Sequence, residues 1–208
     1  MNDKSFCYVV ALGLGAAFLG ACGDTDGGGT PSSSNAPEQC PAVPSPCGGD
    51  LVGEWDVVDI CSTAAPTHPD GDCPAAKLTV LSIDLEGSQS FLADGTTTSS
   101  EGTAEYEMRY DTPTSCLARP CSELANALRR NLEAGYEVLD VECKEQGKSC
   151  VCPLQLRETV PATQQTYEVN GSRVTTVDAD GERVEDYCVE GNRATFVSGE
   201  LTVVLERR

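Results

Sequence analysis

The sequence predicts a mainly β protein: an antiparallel meander closed into a barrel, of about ten strands with one short helix mid-chain, and with a β-sandwich as the alternative. Three observations predict it. From residue 51 onward apolar and polar residues mostly alternate with period two. Asn170-Gly171, Asp180-Gly181, Gly191-Asn192 and Ser198-Gly199 punctuate the last third of the chain at intervals suited to short strands joined by tight turns. The chain also carries 12 Cys, which marks it as disulfide-rich.

In chain order, residues 51–61 read as a first strand and residues 77–85 as a second, with a phase shift at Val80-Leu81 that predicts a bulge. Residues 88–93 form a short strand before Asp94-Gly95, and Ala104, Tyr106, Met108 and Tyr110 form one face of a half-buried strand. The helix is placed at residues 123–134, with Ser122 as its cap, Leu124, Leu128 and Leu132 as its apolar stripe and Gly135 at its stop. Strands at 136–143 and 149–156 follow, joined by residues 144–148. The meander then runs through 163–169, 172–177, 182–189, 193–197 and 200–206.

The first 50 residues are organised differently. Residues 6–21 are an unbroken apolar or small run behind Lys4, about 24 Å long as a helix and too short to cross a bilayer core. Its length and small-residue end read as a signal peptide. Leu19-Gly20-Ala21-Cys22 resembles the lipobox of bacterial lipoproteins. The resemblance implies that Cys22 is acylated, palmitate being the typical chain, and becomes the new N-terminus. Gly23 after that Cys, with Asp24 only beyond it, implies passage to the outer membrane by analogy with enterobacterial sorting. Acyl chains contribute about 0.8 kcal/mol per buried CH₂, enough for stable anchoring without a spanning helix. Residues 22–49 are dominated by Gly, Ser and Pro and read as a lipidated flexible spacer, leaving 50–208 as the folded domain.

Setting aside Cys7 in the leader and Cys22 as the anchor leaves Cys40, Cys47, Cys61, Cys73, Cys116, Cys121, Cys143, Cys150, Cys152 and Cys188. Their even number and export-side address predict five disulfides. Local spacing suggests Cys143 with Cys150 and Cys61 with Cys73.

Charge and composition exclude several functions. Lys and Arg number 14 against 33 Asp and Glu, a net charge of −19, so nucleic acid is not an expected partner. His68 is the only imidazole, which removes His-paired metal sites and leaves a Ser–His pair only one loop residue to draw on. With the thiols assigned to disulfides, neither a catalytic residue nor a cofactor is expected, and the chain reads as a non-enzyme. Asp70-Gly71-Asp72 and the run from Asp178 to Glu182 gather oxygen ligands, but neither completes a calcium loop, so no metal is assigned. Asn170-Gly171-Ser172 has the form of a glycosylation sequon but reads as a hairpin turn.

Gly53-Glu54-Trp55 on the first strand resembles the G-x-W motif of lipocalins and related small barrels. The resemblance implies a Trp closing the barrel floor with an Arg near the chain end stacked on it, here Arg207 or Arg208. A lipocalin-like barrel would make Trp55, Tyr106 and Tyr110 floor or ligand-lining residues. The chain differs from lipocalins in placing its helix mid-chain and ending on a strand. Two functions follow as expectations: a membrane-tethered binding module for a small apolar or amphipathic ligand, or a structural or adhesive envelope protein with a protein partner. A barrel packed solid would disfavour the first, and a broad exposed apolar patch would favour the second.

Overall fold

The computed structural model describes residue 40 and residues 44–63, 73–178 and 181–208. The leader, Cys22, His68, Asp70, Asp72 and Asp180 lie outside the described residues. The period-two segments become strands as expected. β1 (Gly53–Ser62) is followed by β2 (Lys77–Glu86), and Gly87 alone separates β2 from β3 (Ser88–Phe91). β4 (Thr96–Ser99) returns and runs across two residues into β5 (Gly102–Pro113). After α1 (Cys121–Leu132) come β6 (Glu137–Val141), β7 (Lys144–Gln146) and β8 (Ser149–Val160). Past Pro161-Ala162 the chain continues as β9 (Thr163–Asn170), β10 (Arg173–Val177), β11 (Glu182–Glu190), β12 (Arg193–Ser198) and β13 (Leu201–Arg207).

Eight strands close an antiparallel barrel in the order β1-β13-β12-β11-β10-β9-β4-β3. The predicted meander supplies its consecutive wall from β9 to β13. A second sheet, in the order β2-β5-β8-β6 with β7 paired to β8, was not foreseen. The chain passes from one sheet to the other at Gly87, between Ser99 and Gly102, and at Pro161-Ala162. Gly102 marks one such bend, where a Cβ would fall 2.2 Å from the Glu86 carbonyl oxygen, so no side chain fits. The bulge predicted in the second strand is present, as a register shift between Val80 and Ser82 opposite β5.

One apolar cluster runs through both sheets. Trp55, Phe91, Tyr187, Phe196 and Leu205 come from the barrel, and Leu85, Tyr106, Met108, Leu154 and Leu156 from the second sheet. Against it α1 lays Leu128 and Leu132, two of the three stripe leucines, while Leu124 packs on the buried sulfurs of Cys121, Cys150 and Cys152. The helix starts at Cys121, after Pro120 and without a side-chain cap, so Ser122 is not its cap. The disulfide from Cys121 to Cys150 of β8 fixes the first turn instead.

All ten predicted cysteines are paired, as Cys40–Cys61, Cys47–Cys188, Cys73–Cys116, Cys121–Cys150 and Cys143–Cys152. Neither suggested local pairing occurs. Lys144 pairs with Val151 and Gln146 with Ser149, so the β7–β8 turn is two residues and the register sets Cys143 opposite Cys152, not Cys150. Cys73 is drawn away from Cys61 because β2 begins beside the end of β5, with Lys77 opposite Asp111, which brings it to the Thr114–Cys116 turn.

Candidate functional site

The barrel interior has two unlike ends. At one end Trp55 is fully buried, and its indole Nε1 donates to the Leu51 carbonyl at 2.8 Å. Arg207, opposite Trp55 in the β1–β13 register, places its guanidinium carbon 4.5 Å from the ring centroid, a cation–π arrangement. Its terminal nitrogen donates to the Asp50 carbonyl at 2.7 Å, and its Nε has no hydrogen-bond partner among the described residues. Of the two C-terminal arginines, Arg207 therefore covers Trp55, whereas Arg208 turns outward to Asp56.

A strap from the predicted spacer seals this end. The Cys47 and Gly48 amides both donate to the Tyr187 carbonyl at 3.1 Å, Val189 donates to the Gly48 carbonyl at 2.8 Å, and the Cys47–Cys188 bridge pins the crossing. The Tyr187 hydroxyl donates to the Gly49 carbonyl at 2.9 Å. A Cβ on Gly49 would approach that of Val189 to 2.8 Å, so the strap lies flat only because it is glycine here. The folded part thus begins ahead of residue 50, the boundary read from composition.

From Gln89, the neighbour of Trp55 in the β1–β3 register, toward the other end the interior is polar. The Gln89 amide donates to Thr97 at 3.2 Å, Gln165 donates to Asp178 at 3.1 Å, and the Ser99 and Thr163 hydroxyls are 2.7 Å apart. Arg183 and Glu185 point inward from β11, four and two residues before Tyr187 on the same strand face. Burial pushes the Glu185 carboxyl above its ordinary range, while the nearby Arg183 pulls it down by less. Between these residues and the Phe91 and Phe196 rings, which stack with centroids 5.9 Å apart, the interior leaves a cavity of about 20 Å³. A space of that size holds about one water.

Tyr106 and Tyr110 do not line the barrel. Both lie on β5, which belongs to the second sheet because the β2–β5 hairpin leaves the barrel at Gly87 and Gly102. Tyr106 is buried edge-on to Tyr136 and donates to Glu158 at 3.1 Å, and its phenol is held far above its ordinary range by burial and that carboxylate. Tyr110 packs by the Cys121–Cys150 bridge. Asp178, the first of the oxygen-bearing residues in the run to Glu182, accepts from Gln165 and from the Gly181 amide, as a turn residue does. The inward charges on β11 were missed although the signal was there: period two through Tyr187 puts Arg183 and Glu185 on the inner face, where charge is least expected.

The raised Glu185 carboxyl has a measurable consequence. The folded state binds a proton more tightly than the unfolded chain, so this group's contribution is fully present below the ordinary glutamate value of 4.5 and is lost as pH rises through the raised one. Glu185→Gln is expected to remove that loss, giving a variant more stable than the parent at neutral pH and a flatter stability profile above 4.5 in urea titrations. Equal slopes for both proteins would contradict the assignment.

Set against known proteins, the chain matches no family model, no curated protein and no solved structure.

Proposed function

We propose that this chain is a lipid-anchored bacterial lipoprotein whose folded part, a disulfide-stapled lipocalin-like barrel, is displayed outside the cytoplasm, on the outer membrane, as a non-enzymatic contact module for another envelope protein. The observation that carries the reading is that every cysteine from Cys40 to Cys188 sits in a disulfide. Such complete pairing persists in oxidising compartments and is foreign to a reducing cytosol. The apolar leader and Leu19-Gly20-Ala21-Cys22 supply the route and the anchor, and the Gly/Ser/Pro run supplies reach. Arg207 stacked on Trp55 supports a small-barrel architecture with a closed floor.

Between a ligand carrier and a contact module, the interior argues for the second. Small-molecule sites occupy roughly 300–1,000 Å³, and about 20 Å³ among Gln, Arg, Glu and Phe side chains offers an apolar guest no room. Cys22→Ala is expected to move the protein from the membrane to the soluble fraction and to abolish incorporation of labelled palmitate. Continued membrane association of that variant would overturn the anchor.

A further inference from the structure

Where the barrel and the second sheet diverge, two strand margins face each other. β1 is laddered to β13 through Ser62 but to β3 only from Gly53 to Asp56. β2 pairs with β5 alone and forms the margin of its sheet. The Val57 amide still donates to the Gly87 carbonyl at 3.0 Å, but beyond that bond no ladder joins β1 to β2 among the described residues. A cleft of about 300 Å³ opens between Val57–Ile60 and Ile83–Gly87, far larger than the cavity beside Arg183 and Glu185.

Strand margins present rows of amide and carbonyl groups that template an added strand, and proteins either blunt them or use them. Among the described residues this one carries no Pro and has no laddered neighbour. Its side chains have one sign: Asp56, Asp59, Asp84 and Glu86 line the cleft, with no Lys or Arg among the lining residues. Asp84 and Glu86 are exposed two positions apart, on the face of β2 opposite buried Leu85. One cation already answers this charge from the rim. Arg208 Nε donates to Asp56 at 2.8 Å and holds that carboxyl below its ordinary range.

We infer that this cleft receives an extended, basic segment of a partner protein, which adds as a strand along the free margin of β2 and sets alternate Lys or Arg side chains against Asp84 and Glu86. The inference deepens the contact-module reading and rests on it. The occupant is a strand rather than a compact ligand because the cleft walls are backbone margins, and it is basic because every charged residue in the lining is acidic.

The test uses the purified full chain and a fluorescent octapeptide of alternating Lys and Val, read by anisotropy at two salt concentrations. Binding is expected to weaken at least about tenfold in Asp84→Lys/Glu86→Lys, and as much when every second peptide amide is N-methylated. The same double reversal at Glu168 and Glu182, exposed on the far barrel wall, is expected to change it less than about twofold. Equal weakening by both reversals would mean diffuse attraction to an acidic protein and would overturn the inference. So would undiminished binding of the N-methylated peptide. Neither result bears on the anchor, which the fractionation of Cys22→Ala tests separately.

Discussion

Replacing Trp55 by alanine lowers the unfolding free energy by about 3–5 kcal/mol, the range for a large aromatic removed from a packed core. Three losses coincide at this residue. Its ring is fully buried between β13 and β3, with Arg207 opposite on one side and Gln89 on the other. Its indole proton is donated to Leu51, which ties the approach to β1 onto the barrel floor. Its face also carries the guanidinium of Arg207, whose Nε has no hydrogen-bond partner among the described residues. Trp55→Phe keeps a ring under Arg207 but forfeits the hydrogen bond, so about 1–3 kcal/mol is expected there. Urea unfolding of the three proteins orders them, and a Trp55→Ala loss below about 1 kcal/mol would show that the floor does not depend on this residue.

The second large effect is on the disulfides, and its ordering is more telling than its size. Cys47–Cys188 closes a separation of 141 residues, and Cys143–Cys152 one of 9. If the bridges act chiefly on the unfolded chain, replacing the first pair by serine costs about 5 kcal/mol and the second about 3 kcal/mol. The first substitution also frees the Cys47–Gly49 strap from β11, which adds lost main-chain bonds to Tyr187 and Val189. The Cys47/Cys188 variant is therefore expected to melt well below the Cys143/Cys152 variant in thermal unfolding. The reverse order would contradict both the pairing and the role of the strap.

Local features were legible in the sequence, and the junctions between elements were not. The Val80–Ser82 bulge shows as a break in alternation because a bulge shifts every later side chain to the other face. The barrel wall from β9 to β13 is legible because its two-residue connections at Gly171, Gly191 and Gly199 coincide with turn dipeptides. Nothing in period two says which sheet a strand joins, so the transfer at Gly87 and Gly102 went unseen and Tyr106 and Tyr110 were assigned to the wrong compartment. The disulfide errors have a similar origin. The five-residue connection expected at 144–148 is shorter in the structure because residues 144–146 form β7, and that tighter turn moves the partner of Cys143 from Cys150 to Cys152. The strap at Cys47–Gly49 looks like linker by composition and is held by a strand nearly 140 residues away, a contact that composition does not encode.

The polar barrel end and the acidic cleft share one physical root. A chain with a net charge of −19 places carboxylates on every surface, so those that matter are distinguished only by what surrounds them. Glu185 is singled out by its inward position, and Asp84 and Glu86 by the unladdered margin on which they stand.

Intact-mass and peptide mass spectrometry of the native protein, extracted from membranes with free thiols blocked at lysis, reads the anchor and the disulfides together. The expected species is a chain beginning at an acylated Cys22, with Cys40 through Cys188 all protected from the blocking reagent by five bridges. A chain that retains Met1, carries no acyl group and has those cysteines alkylated would contradict it.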